Sequence, residues 1–137
     1  MTQKRILLFA AKLGYQTRSF EEAAKKLEEK GVSVALINPR WIKPMDTGTL
    51  EFFARGVEVV ATIEDHVLHN GFGCAVMEHL HSLQINTPVV RIGWPDEFIE
   101  HGAVPLLRKK HGITADALVE KVLPLLKKKL TVKTSVA

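Results

Sequence analysis

The chain has 137 residues, 46% of them apolar and 25% charged, which is one domain's length with enough apolar material for its own core. No apolar run approaches the roughly 20 residues that span a bilayer, none reads as a secretory signal, and the lone Cys74 cannot close an internal disulfide, so a cytoplasmic setting is expected. The net charge of +4 owes much to Arg108-Lys109-Lys110 and Lys127-Lys128-Lys129, which no aromatic residues interleave, so these runs read as solvated helix faces and a frayed tail, and no nucleic-acid partner is expected.

Lys4-Arg5-Ile6-Leu7-Leu8-Phe9-Ala10 is an apolar run behind two cations and predicts a strand covered on both faces. Ser19 with Glu22 three residues on has the form of a capping box, Ala23, Ala24 and Leu27 form an apolar stripe, and Gly31 ends the helix. A second strand is expected over 32–38, followed by a loop that Pro39 and Pro44 keep out of any ladder. Asp46 or Thr47 caps a short helix carrying Leu50, Phe52 and Phe53 up to Gly56.

The third strand is expected over 57–63, and it empties into the acidic pair Glu64-Asp65 and a long loop. Gly71-Phe72-Gly73 then opens a helix on which Val76, Met77, Leu80 and Leu83 recur, until Asn86-Thr87-Pro88 breaks the pattern. A fourth strand over 89–92 ends in Gly93-Trp94-Pro95-Asp96. A short helix over 103–110 is stopped by Gly112, and Thr114 caps a last amphipathic helix through Lys128, with a kink marked by Pro124. Strands alternating with helices predict an α/β fold: three layers, α/β/α, around a mainly parallel sheet of four to five strands. The domain is drawn over residues 4–130, with 131–137 as a disordered tail.

Chemistry is sought first at the C-terminal end of the third strand, where α/β proteins place ligands and partners. Glu64, Asp65 and His66 there can donate, accept or hold a cation, or else hydrogen-bond loop backbone or a partner subunit. The start Asn70-Gly71-Phe72-Gly73 offers free backbone N–H groups to an anion, or its glycines only make a tight turn. Cys74 follows as a packed small residue or a thiol near the positive helix end. Among the six histidines, neither His66-x-x-His69 nor His79-x-His81 has the company of a metal motif, and no metal is expected. No nucleophile elbow or phosphate loop of the Gly-Lys-Ser type occurs.

Three ordered motifs then resemble one family. Ile37-Asn38-Pro39-Arg40-Trp41-Ile42-Lys43-Pro44-Met45-Asp46 is similar to its strand-to-loop motif of Arg, aromatic, x, Lys-Pro, x, Asp. The stretch from Thr62-Ile63-Glu64-Asp65 to Gly71-Phe72-Gly73 is similar to its Val-Glu-Glu run and glycine-rich helix start. Ile92-Gly93-Trp94-Pro95-Asp96-Glu97-Phe98-Ile99 with His101-Gly102 is similar to its Gly-x-Pro-Asp-x-Phe-Ile and following glycine. Over residues 4–126 the chain resembles the C-terminal domain of transketolase-like, thiamine-diphosphate-dependent enzymes, most closely in the branch of the 1-deoxy-D-xylulose-5-phosphate synthases.

The resemblance implies an assembly domain rather than a complete enzyme. Thiamine diphosphate and Mg would lie between two larger domains, on the same or a separate chain, and none would bind here. The parent reaction would join a two-carbon unit from pyruvate to glyceraldehyde 3-phosphate, toward isoprenoid precursors. A homo-oligomer, a dimer in the complete enzyme, is implied, with Glu64, Asp65, His66, Asn70, Gly71, Phe72 and Gly73 as interdomain or anion contacts and no catalytic residue. A transketolase or 2-oxo-acid dehydrogenase β-subunit domain, or a freestanding regulatory or anion-binding α/β module, are the alternatives. Asp65 stands where a second Glu is usual, Asn70 replaces a glycine, and the family's antiparallel opening strand is expected to be missing.

Overall fold

A computed structural model describes residues 5–10 and 17–126. Four strands, β1 (Ile6–Ala10), β2 (Val34–Ile37), β3 (Val59–Val67) and β4 (Val89–Trp94), form a wholly parallel sheet in the order β2-β1-β3-β4. Between and after them run α1 (Thr17–Glu29), α2 (Thr47–Ala54), α3 (Phe72–Ser82), α4 (Val104–Lys110) and α5 (Ala115–Val122), the last continued by a 3-10 turn over Leu123–Leu125. The expected α/β class and three layers are what the chain adopts.

Period-two alternation in the strands sorts the core into two halves. Val59, Ala61 and Ile63 of β3, with Ile6, Val34, Val90 and Ile92, face Phe20, Ala23 and Leu27 of α1 and Leu118, Val119 and Val122 of α5. On the opposite face Ala35 and Val60 meet Leu50 and Ala54 of α2 and Phe72, Val76 and Leu80 of α3. The chain adds β2 on one side of β1 and then β3 and β4 on the other, so the topological switch point lies between β1 and β3, in the middle of the sheet.

Several boundaries move from where the sequence puts them. α1 already includes Thr17, so Ser19 sits inside the helix rather than at its cap, while Gly31, at φ 75°, does end it. Asp46 is the α2 cap, its carboxylate accepting from Thr49 N–H at 3.0 Å. The last helix stops at Val122 because a ring at position 124 has no N–H to give, and a 3-10 turn takes over instead of a kinked continuation. The predicted helical residues 127–128 and the predicted tail 131–137 lie outside the described residues.

Candidate functional site

The acidic pair lies within β3 and not in a loop beyond it, because pairing with β4 resumes after an irregularity. Ile63 pairs with Ile92 and the next register pair is Val67 with Trp94, so β3 spends two more residues than β4 between them. That bulge turns consecutive side chains to different tasks. Glu64 is only 3% exposed, on the α3 side of the sheet. One of its carboxylate oxygens accepts the N–H of Gly73 at 3.2 Å, and the other accepts the N–H of Phe72.

Those two N–H groups are the first of α3, and Gly71 at the N-cap has no side chain with which to hold them. The strand therefore caps the helix, with a formal charge set against the positive end of the helix dipole. Burial pushes the Glu64 carboxyl up from its ordinary range, while the N–H groups of Gly73 and Phe72, and the charges of His66 and Arg91, work the other way. The glycines follow from this closeness: a Cβ on Gly71 would stand 2.7 Å from the Val67 carbonyl oxygen, and one on Gly73 2.7 Å from Thr62 Oγ1. Asn70 takes the left-handed conformation, φ 56°, that the family's glycine would adopt without strain.

An anion arriving at this helix start would meet N–H groups already taken. Phe72 and Gly73 serve Glu64, and Cys74 N–H donates to the Gly71 carbonyl at 3.0 Å. Beside them Arg91 of β4 donates from Nη1 to the Leu68 carbonyl at 3.0 Å and lies 2.9 Å from Cys74 Sγ, which itself donates to Leu68 O at 3.1 Å. The guanidinium thus pins the chain between β3 and α3. Arg91 belongs to none of the sequence motifs, although a single cation inside Val89-Val90-Arg91-Ile92 is the signal that it faces something polar.

Asp65 faces the other way. It accepts Trp94 Nε1–H at 2.6 Å and Arg108 Nη2–H at 3.0 Å, tying the ends of β3 and β4 to α4. Trp94 also meets His111 edge-on at 5.8 Å between ring centroids, and Lys110 pairs with Glu100, whose carboxyl it holds down at about 2. His66 is exposed with Nδ1 2.7 Å from the Val67 carbonyl, and Asn70 is exposed. Of the predicted site residues, Glu64, Gly71, Phe72 and Gly73 are thus brought together in one buried cap, with Asp65, His66 and Asn70 around its rim. Among the described residues no three His, Cys, Asp or Glu side chains are grouped to hold a metal ion, and no helix is long and apolar enough to cross a membrane.

Comparison with known proteins gives this arrangement relatives. The chain is 57% identical over 115 residues to the 1-deoxy-D-xylulose-5-phosphate synthase of Methylacidiphilum infernorum (isolate V4), covering 84% of this chain and 18% of that enzyme. It is 52% identical over 106 residues to the enzyme of the same name from Acidobacterium capsulatum, covering 77% and 17%. The chain therefore spans less than a fifth of the length of these curated relatives. Among solved structures it is similar to a split-gene transketolase described as an inactive β4 tetramer, with a TM-score of 0.79 and 33% identity, over 92% of this chain and 41% of that one. Residues 2–118 match the family described as transketolase, C-terminal domain, and the chain belongs to that family.

Proposed function

We propose that this chain acts as the C-terminal assembly domain of a thiamine-diphosphate-dependent transferase of the 1-deoxy-D-xylulose-5-phosphate synthase type. The observation that carries the reading is the 57% identity across 84% of the chain, confined to 18% of the relative's length. In this reading the other domains, on the same or a separate chain, condense pyruvate with glyceraldehyde 3-phosphate, lose carbon dioxide and feed isoprenoid precursors. The assembly is a cytoplasmic homo-oligomer with the dimer as its unit.

Thiamine diphosphate and Mg would belong to those other domains. The residues here do not fit the diphosphate: no Gly-Asp-Gly occurs in the 137 residues, and the α3 start, where N–H groups would meet a phosphate, is filled by Glu64. In this reading the chain's part is to present a rigid surface, and the exposure of Asp65, His66 and Asn70 around the buried cap supports these rim residues as the contacts with a neighbour. The isolated chain is not expected to catalyse.

The test is co-expression with the thiamine-binding domains of a synthase. The expected result is a complex that co-purifies and turns over pyruvate with glyceraldehyde 3-phosphate only when this chain is present. Absence of a complex, or equal turnover without this chain, would overturn the reading. The likeness to the split-gene transketolase favours one second reading, a transketolase subunit, and ketose donors in place of pyruvate in the same assay decide between the two.

A further inference from the structure

The segment between β4 and α5 leaves the body of the domain without anchoring itself in either half of the core. None of residues 95–112 is buried, and α4 alone among the described α-helices buries no side chain. Phe98 is fully exposed, and Val104 and Leu106 stand largely in solvent. What holds the segment together lies inside it: Lys110 pairs with Glu100, His111 stands 3.5 Å from Glu100 and 3.8 Å from Glu97, and His111 N–H donates to the Leu107 carbonyl at 2.9 Å. Among the described residues, one side-chain hydrogen bond joins it to another element, from Arg108 Nη2 to Asp65 of β3 at 3.0 Å. The closed arrangement is incompletely satisfied, because Arg108 Nε and His111 Nε2 are buried with no hydrogen-bond partner among the described residues.

We propose that residues 95–112 form a strap that opens and closes as one body, with the pair Arg108 and Asp65 as its clasp. A region with few buried apolar contacts opens at a small fraction of the free energy of global unfolding, and the internal pairs keep this one moving together. Its ends suit a hinge. β4 stops at Trp94, since Pro95 has no N–H to extend the ladder, and Gly112 turns the chain at φ 70° just before Ile113 re-enters the core. Opening lifts His111 from the Trp94 ring and hydrates Arg108 Nε, while Trp94 stays packed against the core. Because the two clasp side chains are 24% and 33% exposed, dissolved ions screen their attraction, and salt sets the fraction of open strap.

Native-state hydrogen exchange on the full chain tests this, in the wild type and in Arg108→Met, which keeps much of the apolar stem and removes the clasp. The backbone amides of Leu106, Leu107, His111 and Gly112, all bonded within the segment, are expected to share one opening equilibrium, at least about a hundredfold more open than that of α3 and α5. Arg108→Met is expected to raise that opening about fivefold relative to α3 and α5. Salt at about 1 M, where the Debye length is about 3 Å, is expected to raise it more in the wild type than in the variant. Four results would each overturn the proposal: strap amides that exchange only together with α3 and α5, strap amides that exchange independently of one another, indifference to Arg108→Met, or an equal response to salt in both proteins. No outcome bears on the co-purification with thiamine-binding domains, so the two readings fail separately.

Discussion

Glu64 performs at one residue what a helix usually obtains from the residue beside it. Its replacement by Gln keeps the volume but turns an amide NH2 toward a backbone N–H, so that only one of two N–H groups keeps an acceptor. Glu64→Gln is expected to cost about 1–3 kcal/mol, seen as a lower urea midpoint at unchanged slope. An unchanged midpoint would show that the cap contributes nothing. The pH dependence has a definite sign. Burial holds the Glu64 carboxyl above its ordinary value, so over that interval the folded chain binds more protons than the unfolded one, and stability from this group falls as pH rises. The gap in unfolding free energy between wild type and Glu64→Gln is therefore expected to narrow as pH rises from about 4 and to level once the group is ionised in both states. A widening gap would reverse the assignment. Gly71→Ala would drive a methyl onto the Val67 carbonyl and is expected to cost about 1–3 kcal/mol in the same measurement. That Glu64 lies close to the Gly71-Phe72-Gly73 helix start is legible in their order along the chain, a strand end followed by a helix start. That the carboxylate answers the helix within the same domain was not, because the bulge that aims it is a property of pairing with β4.

At the scale of elements, caps with side-chain oxygens were the most legible features. Asp46 and Thr114 both accept from the N–H three residues on, as their positions before apolar helical patterns predict. Ser19 has the same local pattern yet lies within α1, since a local motif carries no information on whether the preceding residues also turn. β3 runs through Val67, beyond its apolar stretch, because strand length is decided by a neighbour's backbone and not by hydrophobicity alone. Asp65 is where β3, β4 and α4 are joined. Asp65→Ala is expected to cost about 1 kcal/mol, a discounted figure because the group is one-third exposed. In a Trp41→Phe background, Trp94 emission is expected to shift as its indole N–H loses its acceptor; an emission spectrum unmoved by the change would sink this assignment.

For the whole molecule, the strand-helix alternation made the layered α/β class legible, but the order β2-β1-β3-β4 was not, since periodicity says which faces are covered and not which strands are neighbours. Contacts such as Arg108 with Asp65 are remote in sequence and carry no local signal for the same reason. The two core halves and the exposed loop after β4 make opposite demands on large apolar residues. Leu118, fully buried between α5 and the sheet, is expected to cost about 2–5 kcal/mol on replacement by Ala, whereas Phe98→Ala is expected to leave stability within about 0.5 kcal/mol. Thermal melts of the two variants check this, and a strongly destabilised Phe98→Ala chain would mean that the loop after β4 belongs to the core. The capping carboxylate has one more consequence. A helix start that waits for a phosphate is governed by mass action, and its protein gains stability as that anion is added and saturates. Here the anion is tethered in the adjacent strand at one equivalent per chain, so phosphate titration is expected to produce no saturable rise in the melting temperature, and a saturable rise would show that the N–H groups of Phe72 and Gly73 exchange partners.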